Sequence, residues 1–192
     1  MNTIDILGDE ETFRNIVELK ITEFEDNEIE TIRKYAFKNS KLTSVSFPKV
    51  TSIGEYAFQS CKNLTSIDFP EVTSLGTCTF SGCSALKSIS LPKVTRSFGL
   101  ATFSDCSALK SVSLPKVTSL GNSTFSGCSE LTTLYIGTES DTICNLLLPS
   151  RFVFDGCSKL DSIYVPASLV NEYKSDKNWS DTADKIKAYT GV

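Results

Sequence analysis

The side chains best equipped for chemistry in this chain of 192 residues are seven cysteines, and no histidine accompanies them. The missing imidazole removes Ser-His-Asp and Cys-His nucleophile systems at the outset. A metal site needs close cysteine pairs converging on one ion. Here Cys61, Cys83, Cys106, Cys128 and Cys157 follow one another at steps of 22, 23, 22 and 29 residues. Cys78 and Cys144 fall outside this series, and Cys78 is expected to be partly exposed. Carboxylates acting alone are the remaining catalytic option, as in glycosidases. The densest acidic group, Glu23, Glu25, Asp26, Glu28 and Glu30, lacks the glycine-bearing ligand spacing of a calcium loop. It is read first as a solvated edge, with weak divalent-ion binding as the alternative. No glycine-rich phosphate cradle is present, so no metal, cofactor or catalytic residue is assigned.

Each of the regularly spaced cysteines stands three residues after a phenylalanine, at Phe58, Phe80, Phe103, Phe125 and Phe154. The element that follows is equally regular: Leu42/Val45/Phe47, Leu64/Ile67/Phe69, Leu86/Ile89/Leu91, Leu109/Val112/Leu114, Leu131/Leu134/Ile136 and Leu160/Ile163/Val165, with a degenerate copy at Ile16/Leu19/Ile21. Its apolar-polar-apolar tail is the pattern of a short strand with one buried face. Pro48, Pro70, Pro92, Pro115 and Pro166 then end the strand. A return segment carries Ile53, Leu75, Phe98 or Leu120, followed by Gly54, Gly76, Gly99 or Gly121, where a corner favours positive φ. The chain is therefore expected to be a solenoid, mainly β with short 3-10 or helical turns, in which coils stack into one core. Seven strands at about 4.8 Å would form a parallel sheet roughly 30 Å wide. Stacking also places the regularly spaced thiols in a row at that same separation. That is too long for the usual Cβ distance of a disulfide, and predicts a buried, reduced ladder.

The ends and one internal stretch depart from the repeat. Residues 1–35 hold ten acids against four bases and read as an acidic N-terminal cap with a degenerate first repeat. Residues 36–166 are the repeats, and 167–192 form a helical C-terminal cap, with Trp179 over the last coil and Ser180 as an N-cap. Asp9 to Val17 is read as a short helix or strand. Residues 137–153 lengthen one step, as a bulge without function or as a recognition loop. The net charge of −4, with no basic stripe, argues against nucleic acid. No apolar run is long enough to cross a bilayer, and the N-terminus lacks the pattern of an export signal. This is expected of an unexported chain, or of one whose signal was removed.

The surface left for function is the outward side of the strands: Ser44/Ser46, Ser66/Asp68, Ser88/Ser90, Ser111/Ser113, Thr133/Tyr135 and Ser162/Tyr164. Small hydroxyls also serve merely to solubilise a sheet. The functional reading makes Tyr135 and Tyr164 stacked anchors of a protein or glycan contact. Lys49, Glu71, Lys93 and Lys116 flank this face as a charge row.

The repeat Cys61-x-x-Leu64-x-x-Ile67-x-Phe69-Pro70-x-Val72-Thr73-x-Leu75-Gly76-x-x-x-Phe80-x-x-Cys83 resembles the leucine-rich repeats of the BspA-like class, over residues 16–166. The tail from Tyr164 through Trp179 also resembles the closing segment of some bacterial members. The resemblance implies a non-enzymatic bacterial surface or secreted protein of the adhesin type, with a host matrix or cell-surface protein as partner. The alternatives are an architectural spacer without a ligand of its own and a carbohydrate-binding module. No ligand contact carries over, because the shared positions are structural.

Overall fold

The computed structural model describes residues 22–95, 99–146 and 149–191. The strand-forming copies stack side by side in parallel. β1 (Glu23–Glu25), β3 (Ser44–Ser46) and β5 (Ser66–Asp68) make one sheet; β7 (Ser88–Ser90), β8 (Ser111–Leu114), β10 (Thr133–Ile136), β12 (Ser162–Pro166) and β13 (Ile186–Tyr189) make a second. The return segments form a parallel row of their own: β2 (Thr31–Ile32), β4 (Ser52–Ile53) and β6 (Ser74–Leu75), then β9 (Ser119–Leu120) and β11 (Asn145–Leu146). Phe98, the intervening copy, lies outside the described residues.

Between the two rows of strands lies one continuous core in which every repeat position meets its own counterpart. Leu42, Leu64, Leu86, Leu109 and Leu131 are buried, as are Phe37, Phe58, Phe80, Phe103 and Phe125. The phenylalanines lie face to face, with centroids 5.0 Å apart for Phe37–Phe58, 5.3 Å for Phe58–Phe80, and 5.6 to 5.7 Å from there to Phe154. Each coil is also tied to the next through the backbone, as in Phe58 N–H to Thr79 O at 2.8 Å and Phe80 N–H to Thr102 O at 2.9 Å.

The thiol ladder takes the expected form except at Cys157, which is half-buried. All seven cysteines are free. Cys61, Cys83, Cys106, Cys128 and Cys157 each donate to the carbonyl of the phenylalanine one coil earlier, at 3.0 to 3.2 Å. Ser40 takes the cysteine's place in the first coil and meets Cys61 Sγ at 3.2 Å. Burial pushes Cys106 and Cys157 up to about 12 and raises Cys83, Cys128 and Cys144 as well. Cys78 is half-buried, and desolvation followed by the nearby Glu55 charge raises it too.

The degenerate copy at Ile16, Leu19 and Ile21, like the helix or strand read at Asp9–Val17, lies outside the described residues; the strand that pairs with β3 is Glu23–Glu25, with Phe24 opposite Val45. Three expectations are corrected. The repeat-bearing glycines do not adopt positive φ; that conformation falls on Tyr35, Tyr56, Cys78, Ala101 and Ser123. Gly54 and Gly99 are instead required by close approach of stacked backbones, since a Cβ would sit 2.6 Å from Lys34 N and 2.5 Å from Thr77 N. The second correction concerns the tail. Its 3-10 turn Ala167–Leu169, helix Val170–Ser175 and 3-10 turn Ser180–Lys185 give way to β13, which extends the sheet. Ser180 does not cap a helix, because its hydroxyl donates to Lys177 O at 2.9 Å. Finally, the strands form two sheets where one had been expected. Among the described residues no backbone bond joins β5 to β7, and the break falls where the inward Phe47 and Phe69 give way to Leu91.

Trp179 does cover the last coil, packing on Phe154 with centroids 6.1 Å apart. It also reaches into the lengthened stretch, where Trp179 Nε1 donates to Cys144 O at 2.9 Å and the Cys144 amide donates to Tyr173 Oη at 2.7 Å. The stretch is thereby clamped to the C-terminal segment, and its Leu146 lies opposite Leu120 in the return row.

Two outcomes follow from this packing. Phe103→Ala should lower unfolding free energy by about 3–5 kcal/mol, whereas Phe152→Ala at a 44% exposed position should cost under about 1 kcal/mol, both read by denaturant titration. Iodoacetamide at pH 8 should modify the half-buried Cys78 and Cys157 slowly and the five buried thiols only on unfolding, followed by peptide mass mapping. Fast native labelling of Cys83 or Cys106 would contradict the packing described.

Candidate binding face

The register fixes which outward residues meet. Ser44 lies beside Ser66 and Ser46 beside Asp68, where Ser46 Oγ donates to Asp68 Oδ2 at 3.3 Å. Across the break, Ser88, Ser111, Thr133 and Ser162 form one row, and Ser90, Ser113, Tyr135 and Tyr164 the other. The expected face is thus assembled in two blocks rather than one ladder.

Where the blocks part, the sheet surface opens into a groove of about 440 Å³. Its floor is Ile67, Ile89 and Val112, and its walls carry Ser88, Ser111 and Ser113, with Asp68 at one end and Tyr135 at the other. Ile67 is only half-buried, whereas Val45, Ile89, Val112 and Leu134 are buried.

The tyrosine end holds the expected pair and an unexpected third ring. Tyr135 and Tyr164 stack with centroids 5.0 Å apart and planes within 12°. Tyr189 meets Tyr135 edge-on at 5.9 Å and 81°. Sequence reading missed Tyr189 because Ile186 also continued the helical spacing of Trp179 and Ala183. The signal was there in Ile186-Lys187-Ala188-Tyr189, a short segment with aromatic and β-branched ends. The three rings are half-buried, so each keeps contact area for a partner while its orientation is held by neighbours.

Ser162 is corrected: it leaves the face. At 4% exposure it donates to Asp161 Oδ2 at 2.5 Å and receives Lys187 Nζ at 2.6 Å. β13 lies over that edge and supplies the lysine. The same contacts hold the Asp161 carboxyl below its usual range, the Ser162 hydrogen bond first and Lys187 second. The charge row beyond the proline corners is also occupied: Lys49 pairs with Glu28 at 3.1 Å, Lys93 with Glu71 at 2.5 Å and Lys116 with Glu139 at 3.5 Å. These pairs are exposed and contribute little stability.

The groove's lining side chains include one carboxylate, Asp68, together with serine hydroxyls and the Tyr135 ring, a set of donors, acceptors and aromatic surface that a partner can contact. The early acidic cluster is engaged locally: Asp26 Oδ1 accepts the Glu28 and Ile29 amides at 2.8 and 3.0 Å. Among the described residues no group of three or more metal-ligating side chains converges.

No curated protein matches the sequence. Among solved structures, the chain is similar to a leucine-rich repeat protein of T. pallidum, with 24% identity and a TM-score of 0.51, covering 90% of this chain and 87% of that one. A leucine-rich repeat protein of Eubacterium ventriosum is 22% identical with a TM-score of 0.57, over 72% of this chain and 43% of that one. A leucine rich cell surface protein of Faecalibacterium prausnitzii is 22% identical with a TM-score of 0.49, over 93% of this chain and 62% of that one. The chain thus spans less than two thirds of the last two proteins. The model of the BspA type leucine rich repeat region matches in six copies, over residues 3–74, 30–150 and 73–176. With the stacked phenylalanines and thiols already placed at those repeats, the chain belongs to the BspA type leucine-rich repeat family.

Proposed function

We propose that this chain is a non-catalytic interaction module that binds another protein through its strand face, in a bacterial cell-surface or secreted setting, as an adhesin does. The observation that carries the reading is the convergence of Tyr135, Tyr164 and Tyr189 at one end of the groove between the two sheets. Rigid aromatic rings lose little rotamer freedom on contact and dominate the energetics of protein interfaces. The hydroxyls of Ser88, Ser90, Ser111, Ser113 and Thr133 line the approach, offering donors and acceptors to a partner backbone without a strong charge. Ser44, Ser46 and Ser66 extend the surface beyond the groove, and Asp68 at the groove's end favours a basic side chain there. The setting is supported by the family, whose BspA-like members are bacterial surface and secreted proteins. Among the described residues no helix is long and apolar enough to cross a membrane.

The test is a binding screen of the intact chain against purified host matrix proteins by surface plasmon resonance. At least one should bind. Replacing Tyr135, Tyr164 and Tyr189 together by Ser should weaken that binding by about thirtyfold or more, the scale of a hot-spot loss, with the melting temperature nearly unchanged. Affinity that survives the triple change would place the contact elsewhere.

A further inference from the structure

At the opposite end of the solenoid, and on a different side of the coil, a second aromatic site stands outside everything used so far. Tyr35 and Tyr56 occupy equivalent positions in consecutive coils, at the corner after the return strands β2 and β4. Their rings stack with centroids 5.2 Å apart and planes within 20°. Lys34 Nζ lies 5.1 and 5.6 Å from the two centroids, and Lys38 Nζ lies 5.2 and 5.8 Å from them.

The backbone makes this an unexpected place for tyrosine. Tyr35 and Tyr56 have φ of 64° and 58°, and the equivalent Cys78, Ala101 and Ser123 lie at 53° to 55°. The coil geometry imposes the left-handed conformation at every copy, through inter-coil bonds such as Tyr35 N–H to Glu55 O at 3.0 Å and Tyr56 N–H to Thr77 O at 2.9 Å. Glycine is the relaxed residue for such a site, and a bulky aromatic is strained there. Later coils carry small side chains. The first two carry large ones that the core does not use: Tyr35 is 45% exposed, unlike the buried phenylalanine stack.

The ring pair has two lysines, Lys34 and Lys38, and one carboxylate, Glu55, beside it. Lys34 is held by Glu55 at 2.7 Å, while Lys38 has no carboxylate partner among the described residues. An ammonium free to take an anion therefore sits beside an exposed aromatic ring.

We propose that Tyr35, Tyr56, Lys34 and Lys38 form a subsite for an acidic saccharide, in which the C–H face of a sugar ring lies against tyrosine and its carboxylate or sulfate meets Lys38. Charge complementarity selects an anion, and the exposed ring selects one with a flat, weakly polar face. An acidic peptide would use the lysines but has no need of the ring pair. A single-stranded nucleic acid draws its stacking energy from successive bases on separate rings, whereas Tyr35 and Tyr56 each spend one face on the other, and of the two it is Tyr35 that is largely exposed.

The experiment titrates the intact chain with a heparin-derived hexasaccharide, an oligogalacturonate and a neutral dextran oligosaccharide, by calorimetry at low and moderate salt. One or both acidic probes should bind, tenfold more weakly at the higher salt, and dextran should not; heparin or oligogalacturonate preference separates a sulfate site from a carboxylate site. Y35S/Y56S and, separately, K38Q should each lower affinity at least tenfold, and Y35F/Y56F should restore it. The triple serine change at Tyr135, Tyr164 and Tyr189 should leave it unaltered, which keeps this site independent of the strand-face reading. Should Y35S/Y56S not fold, amide shifts in the unmodified chain supply the readout, and they must cluster within residues 33–59. No binding, equal binding by the tyrosine-free variant, or an equally tight single-stranded oligonucleotide would each overturn the assignment.

Discussion

Each coil is held in register by a phenylalanine lying flat on that of the coil before it. The series Phe37, Phe58, Phe80, Phe103, Phe125 and Phe154 runs almost the length of the described chain with neighbouring planes within 10° of each other. Its spacing is between 5.0 and 5.7 Å, somewhat wider than the roughly 4.8 Å of paired strands.

Such stacking also forbids isolated features. Any side chain is repeated in kind or replaced in kind one coil along, so chemistry is arranged in rows. Threonine shows the rule: Thr43, Thr65 and Thr132 hydroxyls donate to the carbonyls of Thr22, Thr43 and Lys110, one coil back, while Thr79, Thr102 and Thr124 bond locally to Gly76, Gly99 and Gly121. The cysteine row obeys it as well, with the additional consequence that a thiol buried between two others and bonded to a carbonyl is kept from acting as a nucleophile. Composition alone would have marked seven cysteines as reactive potential; their period assigns most of them to packing.

Periodicity is also what made the fold readable, and its limits explain what was missed. Positions that recur in five or six copies, such as Leu64, Phe80 and Cys83, could be placed from their neighbours' agreement. The strand Glu23-Phe24-Glu25 could not, because it carries a single apolar residue between two acids, a weaker signal than the apolar spacing of Ile16, Leu19 and Ile21. Glycine at Gly54 and Gly99 was legible as necessary but not for its reason, since close approach of two backbones and positive φ leave the same residue in the sequence. The groove and Tyr189 were illegible for a common cause. Each depends on where sheet pairing stops or starts, at the β5/β7 break and at β13, and neither event leaves a repeated mark. Ser162 followed from this: its outward position was read correctly, and the strand that covers it was not foreseen.

Because rows are the default, departures from a row are where selection for something other than stacking can be seen. From β3 onward the strand face is serine and threonine, apart from Asp68, until Tyr135 and Tyr164, and the strained corner is small until one counts back to Tyr56 and Tyr35. Neither substitution is required by the coil, since the copies between them stack without tyrosine. Beside the last described repeat, a strand from outside the repeat extends the sheet: β13 contributes Tyr189 to the ring cluster and Lys187 to Ser162, so extending the stack and building the surface are done by the same short strand.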